Sequence, residues 1–146
     1  MTNETFSLRQ FGFRKNHSTS HALIHLLNKI SFAIDQYETT GGIFLDLSKA
    51  FDIVDHEILF TKLEHYDIRD AALQWIKATF LIAIEFVQFN QTCSPTQTIK
   101  CGVPRGSILG PSFFILYINE LPNASELVEL LLFVDHTSIF YFSGCR

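Results

Sequence analysis

Positive charge is in short supply. Eleven Lys and Arg stand against 15 Asp and Glu, a formal net charge of −4 over 146 residues, with a pI near 5.8. Strong autonomous binding to nucleic acid draws on Lys and Arg contacts to phosphate, so this balance argues against it. Cysteine is also scarce. Cys93, Cys101 and Cys145 are odd in number and lack paired metal spacing, which points to a reduced intracellular protein of cytoplasm or nucleus. No apolar run reaches the roughly 20 residues that a membrane-spanning helix needs. The polar start MTNETFSLRQ has no signal-peptide hydrophobic region. Repeats, low-complexity tracts and linkers are absent too, and the length suits a single domain with its own core.

What the chain has in excess is apolar surface: 47% hydrophobic residues, 14% aromatic and 15 Phe. A small free-standing domain needs a mostly polar exterior. This composition is that of a fragment whose apolar faces expect covering neighbours. Ser18–Tyr37 places Ala22, Leu23, Leu26, Leu27, Ile30, Ala33, Ile34 and Tyr37 at helical spacing, with Ser18 or Thr19 as cap. Gly41–Gly42 breaks the chain before a strand at Ile43–Leu45. A helix is predicted from about Asp55 to Tyr66, with Ile58, Leu59, Leu63 and Tyr66 inward and Asp52 or Asp55 as cap. Another is predicted around Ala71–Phe80. Ile84–Asn90 reads as a strand, Ser94–Gln97 as a turn, Pro104–Ser107 as a loop before a helix near Leu109–Ile118, and Pro122–Ser125 as a turn. Helices mixed with an antiparallel hairpin give an α+β fold.

The hairpin is Leu130–Phe142, LLLFVDHTSIFYF, where two apolar runs meet at a tip of Asp135, His136 and Thr137. A carboxylate at such a tip is held outside the core on a rigid support. Asp46 has a similar setting at the end of the apolar run Gly42–Leu45. Two acidic residues at strand ends suit a site for one or two Mg²⁺ ions, since hard cations want oxygen ligands on a preformed support. Paired metals of that kind clamp the oxygens of a phosphoryl transfer. His17, His21 and His25 recur every four residues and imitate a zinc motif, but no HExxH glutamate accompanies them.

Four ordered segments carry a resemblance beyond spacing: QFGFRKNHSTSHAL (Gln10–Leu23), FLDLSKAFDIVDH (Phe44–His56), GVPRGSILGPSFFILYINELP (Gly102–Pro122) and LLFVDH (Leu131–His136). Together they resemble the reverse transcriptases of non-LTR, LINE-like retrotransposons, particularly the jockey-like branch. The similarity covers nearly the whole chain from about Phe6. It implies a partial reverse transcriptase domain over residues 1–146, from the end of the fingers through the motif C hairpin of the palm, without later palm strands or thumb. It further implies an RNA template, a DNA primer, dNTPs and two Mg²⁺ ions as partners, with no membrane. Asp46 matches the catalytic Asp of motif A, and the backbone carbonyl of Leu47 would help hold a metal. Phe51 matches the aromatic gate that clashes with a ribose 2′-OH, although its apolar neighbours alone suggest core packing. Gly106 and Ser107 match the motif B loop, where Gly lets backbone approach nucleotide and template. Arg14 and Lys15 match a basic segment near phosphate, or are simply solvated charge before a helix.

Against that pattern the chain departs at several positions. Arg105 stands where the family has Gln, and its charged fork need not place a template base as Gln does. Val134 replaces the usual Ala. Asp135 matches the first Asp of the motif C pair, but His136 replaces the second. Imidazole is a poor Mg²⁺ ligand, and the site loses a negative charge. Leu81–Phe86, LIAIEF, lacks the basic residues found in relatives. Two expectations follow. The chain is an RNA-directed DNA polymerase fragment by ancestry, inactive as it stands, or it is a non-enzymatic retrotransposon remnant with no activity.

Overall fold

The computed structural model describes residues 6–81, 84–85, 88–90, 92–95, 97–103 and 106–143. Its elements run α1 (Thr19–Asp35), β1 (Thr39–Asp46), α2 (His56–His65), α3 (Asp70–Leu81), β2 (Ile84–Glu85), β3 (Gln88–Phe89), β4 (Thr92–Cys93), β5 (Gln97–Thr98), α4 (Gly110–Ile118), β6 (Glu129–Phe133) and β7 (His136–Ser143), with a 3₁₀ turn at Leu121–Asn123. This is the expected α+β mixture. The chain divides into two compact units, Met1–Ser48 with Ile118–Arg146, and Lys49–Tyr117.

The first unit is built on an antiparallel sheet of order β1-β7-β6. Ser18 caps α1, its Oγ accepting the His21 N–H at 3.3 Å. The helix lays Ala22 and Leu26, four residues apart, over Phe11, Leu131 and Phe140 on one face of the sheet, with Phe133 and Phe142 alongside. Much of the helical apolar pattern stays uncovered: Leu23, Leu27, Ile34 and Tyr37 are all exposed. A buried link adds a further tie. Gln10 bridges Leu132, with Phe11 N–H donating to the Leu132 carbonyl and Leu132 N–H to the Arg9 carbonyl, both at 2.8 Å. An ionic contact fixes α1 to the start of β6: His25 Nε2 lies 2.8 Å, and Lys29 Nζ 3.0 Å, from the Glu129 carboxylate. Burial, the largest influence on that carboxyl, pushes its pKa up. The hydrogen bonds from His25 and Lys29, with the Lys29 and His25 charges, outweigh it and hold Glu129 below the ordinary carboxylate value.

The glycine pair does not break the chain. β1 begins at Thr39 and runs through Gly41 and Gly42. Gly42 pairs with Phe140, and a Cβ there would lie 2.9 Å from the Phe140 ring. The glycine makes room for an aromatic across the ladder rather than for a turn.

The second unit gathers Leu59, Leu63, Phe80 and Val54 in its core, all 1% exposed or less. Asp55 caps α2 through the Ile58 N–H at 3.0 Å. Its buried side is His56, Leu59, Phe60 and Leu63, whereas Ile58, expected inward, is exposed and Tyr66 only half-buried. Phe80 centres an aromatic cluster with His56, Phe60 and Phe113. Of the strand expected over Ile84–Asn90, the described residues form β2, which pairs with β5, and β3, which pairs with β4, while residues 86–87 lie outside the described residues. Gly102, at φ +93°, lets the chain approach Asp52, whose carbonyl would meet a Cβ at 3.0 Å. His56 Nε2 lies 2.7 Å from the Gly102 carbonyl and anchors that loop.

Candidate metal centre

Asp46 is the last residue of β1 and stands directly opposite His136, the first of β7. Directly opposed residues point to the same face of a sheet. Asp135 reaches them from the hairpin turn, where Phe133 and His136 are paired and only Val134 and Asp135 lie between. The tip is thus Val134–Asp135, not Asp135–Thr137, and Thr137 is a buried strand residue, 3% exposed. The Leu47 N–H donates to the Asp135 carbonyl at 3.1 Å, tying the end of β1 to the turn.

The ligand atoms of Asp46, Asp135 and His136 all lie within 4.8 Å of one another. The convergence of Asp46 and Asp135 expected from their strand ends is therefore present. His136 stands between the carboxylates: Nδ1 is 3.6 Å from Asp46 Oδ1, and Nε2 is 3.9 Å from Asp135 Oδ1. All three side chains are open to solvent, at 74% for Asp46, 36% for Asp135 and 62% for His136.

The turn carries strain. Val134 has φ +60° and is 8% exposed. Left-handed backbone is unfavourable for a β-branched residue, and a two-residue hairpin with that conformation at its first position prefers Gly. Gly12 faces it closely: a Cβ at Gly12 would run into the Val134 Cγ2 and backbone N.

Phe51, Gly106 and Ser107, also singled out from sequence, belong to the second unit. Phe51 is half-buried, its ring 4.7 Å from that of Phe114. Gly106 is exposed at φ +75°. Ser107 lies three residues before α4, its Oγ accepting the Gly110 N–H at 2.8 Å. Arg105 and Cys145, with part of the LIAIEF segment, lie outside the described residues. Arg14 is buried rather than solvated. It is 9% exposed, and its guanidinium donates to the Ser7 and Gln10 carbonyls at 2.6 and 3.1 Å. The histidine triplet is parcelled out separately: His17 Nδ1 lies 3.1 Å from the Lys15 carbonyl, His21 sits against Ser18, and His25 holds Glu129. Sequence reasoning missed the Glu129–His25–Lys29 contact. The one available signal was the i, i+4 spacing of His25 and Lys29.

The mixed α+β fold, with carboxylates at a strand end and an adjoining hairpin turn of one antiparallel sheet, is consistent with a partial polymerase palm. The profile of the family described as "Reverse transcriptase (RNA-dependent DNA polymerase)" matches residues 1–145, and the chain belongs to that family. It is similar to "Probable RNA-directed DNA polymerase from transposon BS" of Drosophila melanogaster, 31% identical over 93% of this chain and 16% of the relative. It is also similar to "Probable RNA-directed DNA polymerase from transposon X-element" of the same species, 32% identical over 94% of this chain and 15% of the relative. "RNA-directed DNA polymerase from mobile element jockey" of Drosophila funebris is 34% identical over 83% of this chain and 13% of the relative. The chain thus spans only a small part of the length of these relatives. Among the described residues no helix is long and apolar enough to cross a membrane.

The donor set tests the paired Mg²⁺ ions that the family implies. Mg²⁺ takes oxygen ligands in near-octahedral geometry and usually keeps several waters. Asp46 and Asp135 suit that, but the third position of the cluster is an imidazole. An imidazole in place of a third carboxylate removes one negative charge and one hard oxygen donor, so the residues present do not fit the two-ion site.

Proposed function

We propose that this chain is a palm segment of an RNA-directed DNA polymerase lineage in which the polymerising site no longer runs. By ancestry its partners are an RNA template, a DNA primer and dNTPs. Asp46 and Asp135 would be the inherited carboxylates, the Leu47 carbonyl a backbone neighbour of the metal, and Phe51, Gly106, Ser107 and Arg105 the inherited nucleotide and template contacts. Residues 1–146 would form one partial reverse transcriptase domain of an intracellular protein.

The observation that carries the reading is the position of His136, paired with Asp46 and set between it and Asp135. A nitrogen donor stands where a third carboxylate would be needed. The sparse positive charge supports the same reading, because phosphate contacts to hold template and primer are few. The rival reading, a working polymerase segment, is favoured by the convergence of Asp46 and Asp135 and by the order of the four family-like segments.

Primer extension on an RNA template separates the two. The chain by itself should extend no primer with Mg²⁺ or Mn²⁺, and His136→Asp alone should not rescue it, because positioning of primer and template supplies much of the barrier reduction. Grafted into a complete relative, the segment with His136 should be severely impaired, and the His136→Asp graft should recover much of the lost rate. A graft that polymerises at the relative's own rate with His136 in place would refute the proposal.

A further inference from the structure

We propose that Asp46, Asp135 and His136 form a single site for a borderline divalent cation, Zn²⁺ in the first instance, in preference to Mg²⁺. The inference rests on the reading above only in taking Asp46 and Asp135 as one metal site, not on whether polymerisation survives.

The misfit to paired Mg²⁺ is the starting point. Two carboxylate oxygens and one imidazole nitrogen make a mixed donor set of the kind Zn²⁺ binds, at about 2.0–2.2 Å to each ligand. Bonds of that length place neighbouring donors of a tetrahedral ion about 3.4 Å apart. The His136 nitrogens already lie 3.6 Å from Asp46 and 3.9 Å from Asp135, with all three donors inside 4.8 Å. Small side-chain rotations would bring one oxygen from each Asp and one ring nitrogen to a common centre.

The backbone is set for this. Asp46 and His136 are ladder partners, and the Leu47 N–H bond to the Asp135 carbonyl holds the third ligand's backbone. Only side-chain freedom remains to be lost on binding. Three protein ligands leave a fourth position for water, as in open zinc sites. Exposure of all three residues leaves that position accessible. Imidazole moves affinity along the series toward Zn²⁺ and away from Mg²⁺, which gains nothing from a nitrogen donor. The other histidines of this unit are engaged elsewhere, His17 at the Lys15 carbonyl, His21 at Ser18 and His25 at Glu129.

Calorimetric titration of the full chain with Zn²⁺ and with Mg²⁺, together with X-ray absorption at the zinc edge, tests the assignment. One equivalent of Zn²⁺ should bind at least about tenfold more tightly than Mg²⁺. The absorption spectrum should show nitrogen and oxygen ligands with the outer scattering of one imidazole and no sulfur. His136→Asn and Asp46→Asn should each weaken Zn²⁺ by at least the roughly 10–100-fold that loss of an outer partner costs a zinc site. His136→Asp should narrow the gap between the two cations, which guards against a variant that merely fails to fold. Equal affinity for Mg²⁺ and Zn²⁺, a sulfur ligand from Cys93 or Cys101, or unchanged Zn²⁺ affinity in His136→Asn would each overturn the proposal. Failure of the polymerisation reading shows up separately, as primer extension by the graft.

Discussion

At the scale of single residues, Val134 holds the most informative conflict in the chain. The turn that carries Asp135 is only two residues long, so its first residue takes a left-handed conformation whatever its identity. Valine suits this badly because its branched Cβ crowds the adjacent backbone. Val134→Gly should therefore stabilise the unit by about 1 kcal/mol, the scale of a residue held in a sparsely populated region. A rise in thermal midpoint without loss of sheet signal would check it. Gly12→Ala should do the opposite, since the added Cβ meets Val134 with no room to give. That Asp46 and Asp135 meet in space was legible in the sequence because both end apolar runs. The meaning of His136 was only half legible: the substitution could be read, but not that the ring would stand between the carboxylates. That placement depends on the register of β1 against β7, and register between segments some 90 residues apart follows from tertiary packing, not local pattern.

At the scale of elements, caps and strong periodicities were readable in advance. Ser18 and Asp55 head α1 and α2 because each hydroxyl or carboxylate can take an otherwise orphaned N–H. The helical faces were less so. Ile58 fits an inward spacing, yet the buried side of α2 also takes in His56 and Phe60, drawn by the Phe80 aromatic cluster. Gly41–Gly42 misled because a glycine pair is ordinarily punctuation, while here it accommodates the Phe140 ring. The Glu129 contact makes a pH prediction. Its folded-state pKa lies below the ordinary value of 4.5, so the stabilisation is fully present above that value and is lost as pH falls through the lower folded-state pKa. Acid titration should therefore loosen α1 from β6 below about pH 4.5. Glu129→Gln should cost about 1 kcal/mol at neutral pH, and should flatten that part of the stability profile. A variant retaining the full acid-dependent loss would reject the assignment to Glu129.

At the scale of the whole chain, apolar surface outruns what the fold covers. Leu23, Ile24, Leu27, Phe32 and Ile34 on α1, Ile43 and Phe44 on β1, and Trp75 on α3 are all more than half exposed. Among the described residues β1 is also an edge strand, with hydrogen-bonding groups paired only toward β7. Long apolar edges are templates for association. The chain alone should be poorly soluble, and Phe44→Lys should raise soluble yield by placing a charge on that edge. A soluble monomer of the unaltered chain with a cooperative thermal transition would contradict this expectation.

The notch at Gly42 beneath the Phe140 ring also acts as an index mark between two strands. Pairing is periodic, so many alignments of β1 with β7 satisfy the backbone equally well, and the observed one sets the Phe140 ring onto a position that has no side chain. That alignment is also the one that brings Asp46 level with His136. A bulky residue at position 42 would thus act at a distance, sliding or splaying one rail against the other. The carboxylate four residues further along would then miss its partners with every ligand still in the sequence.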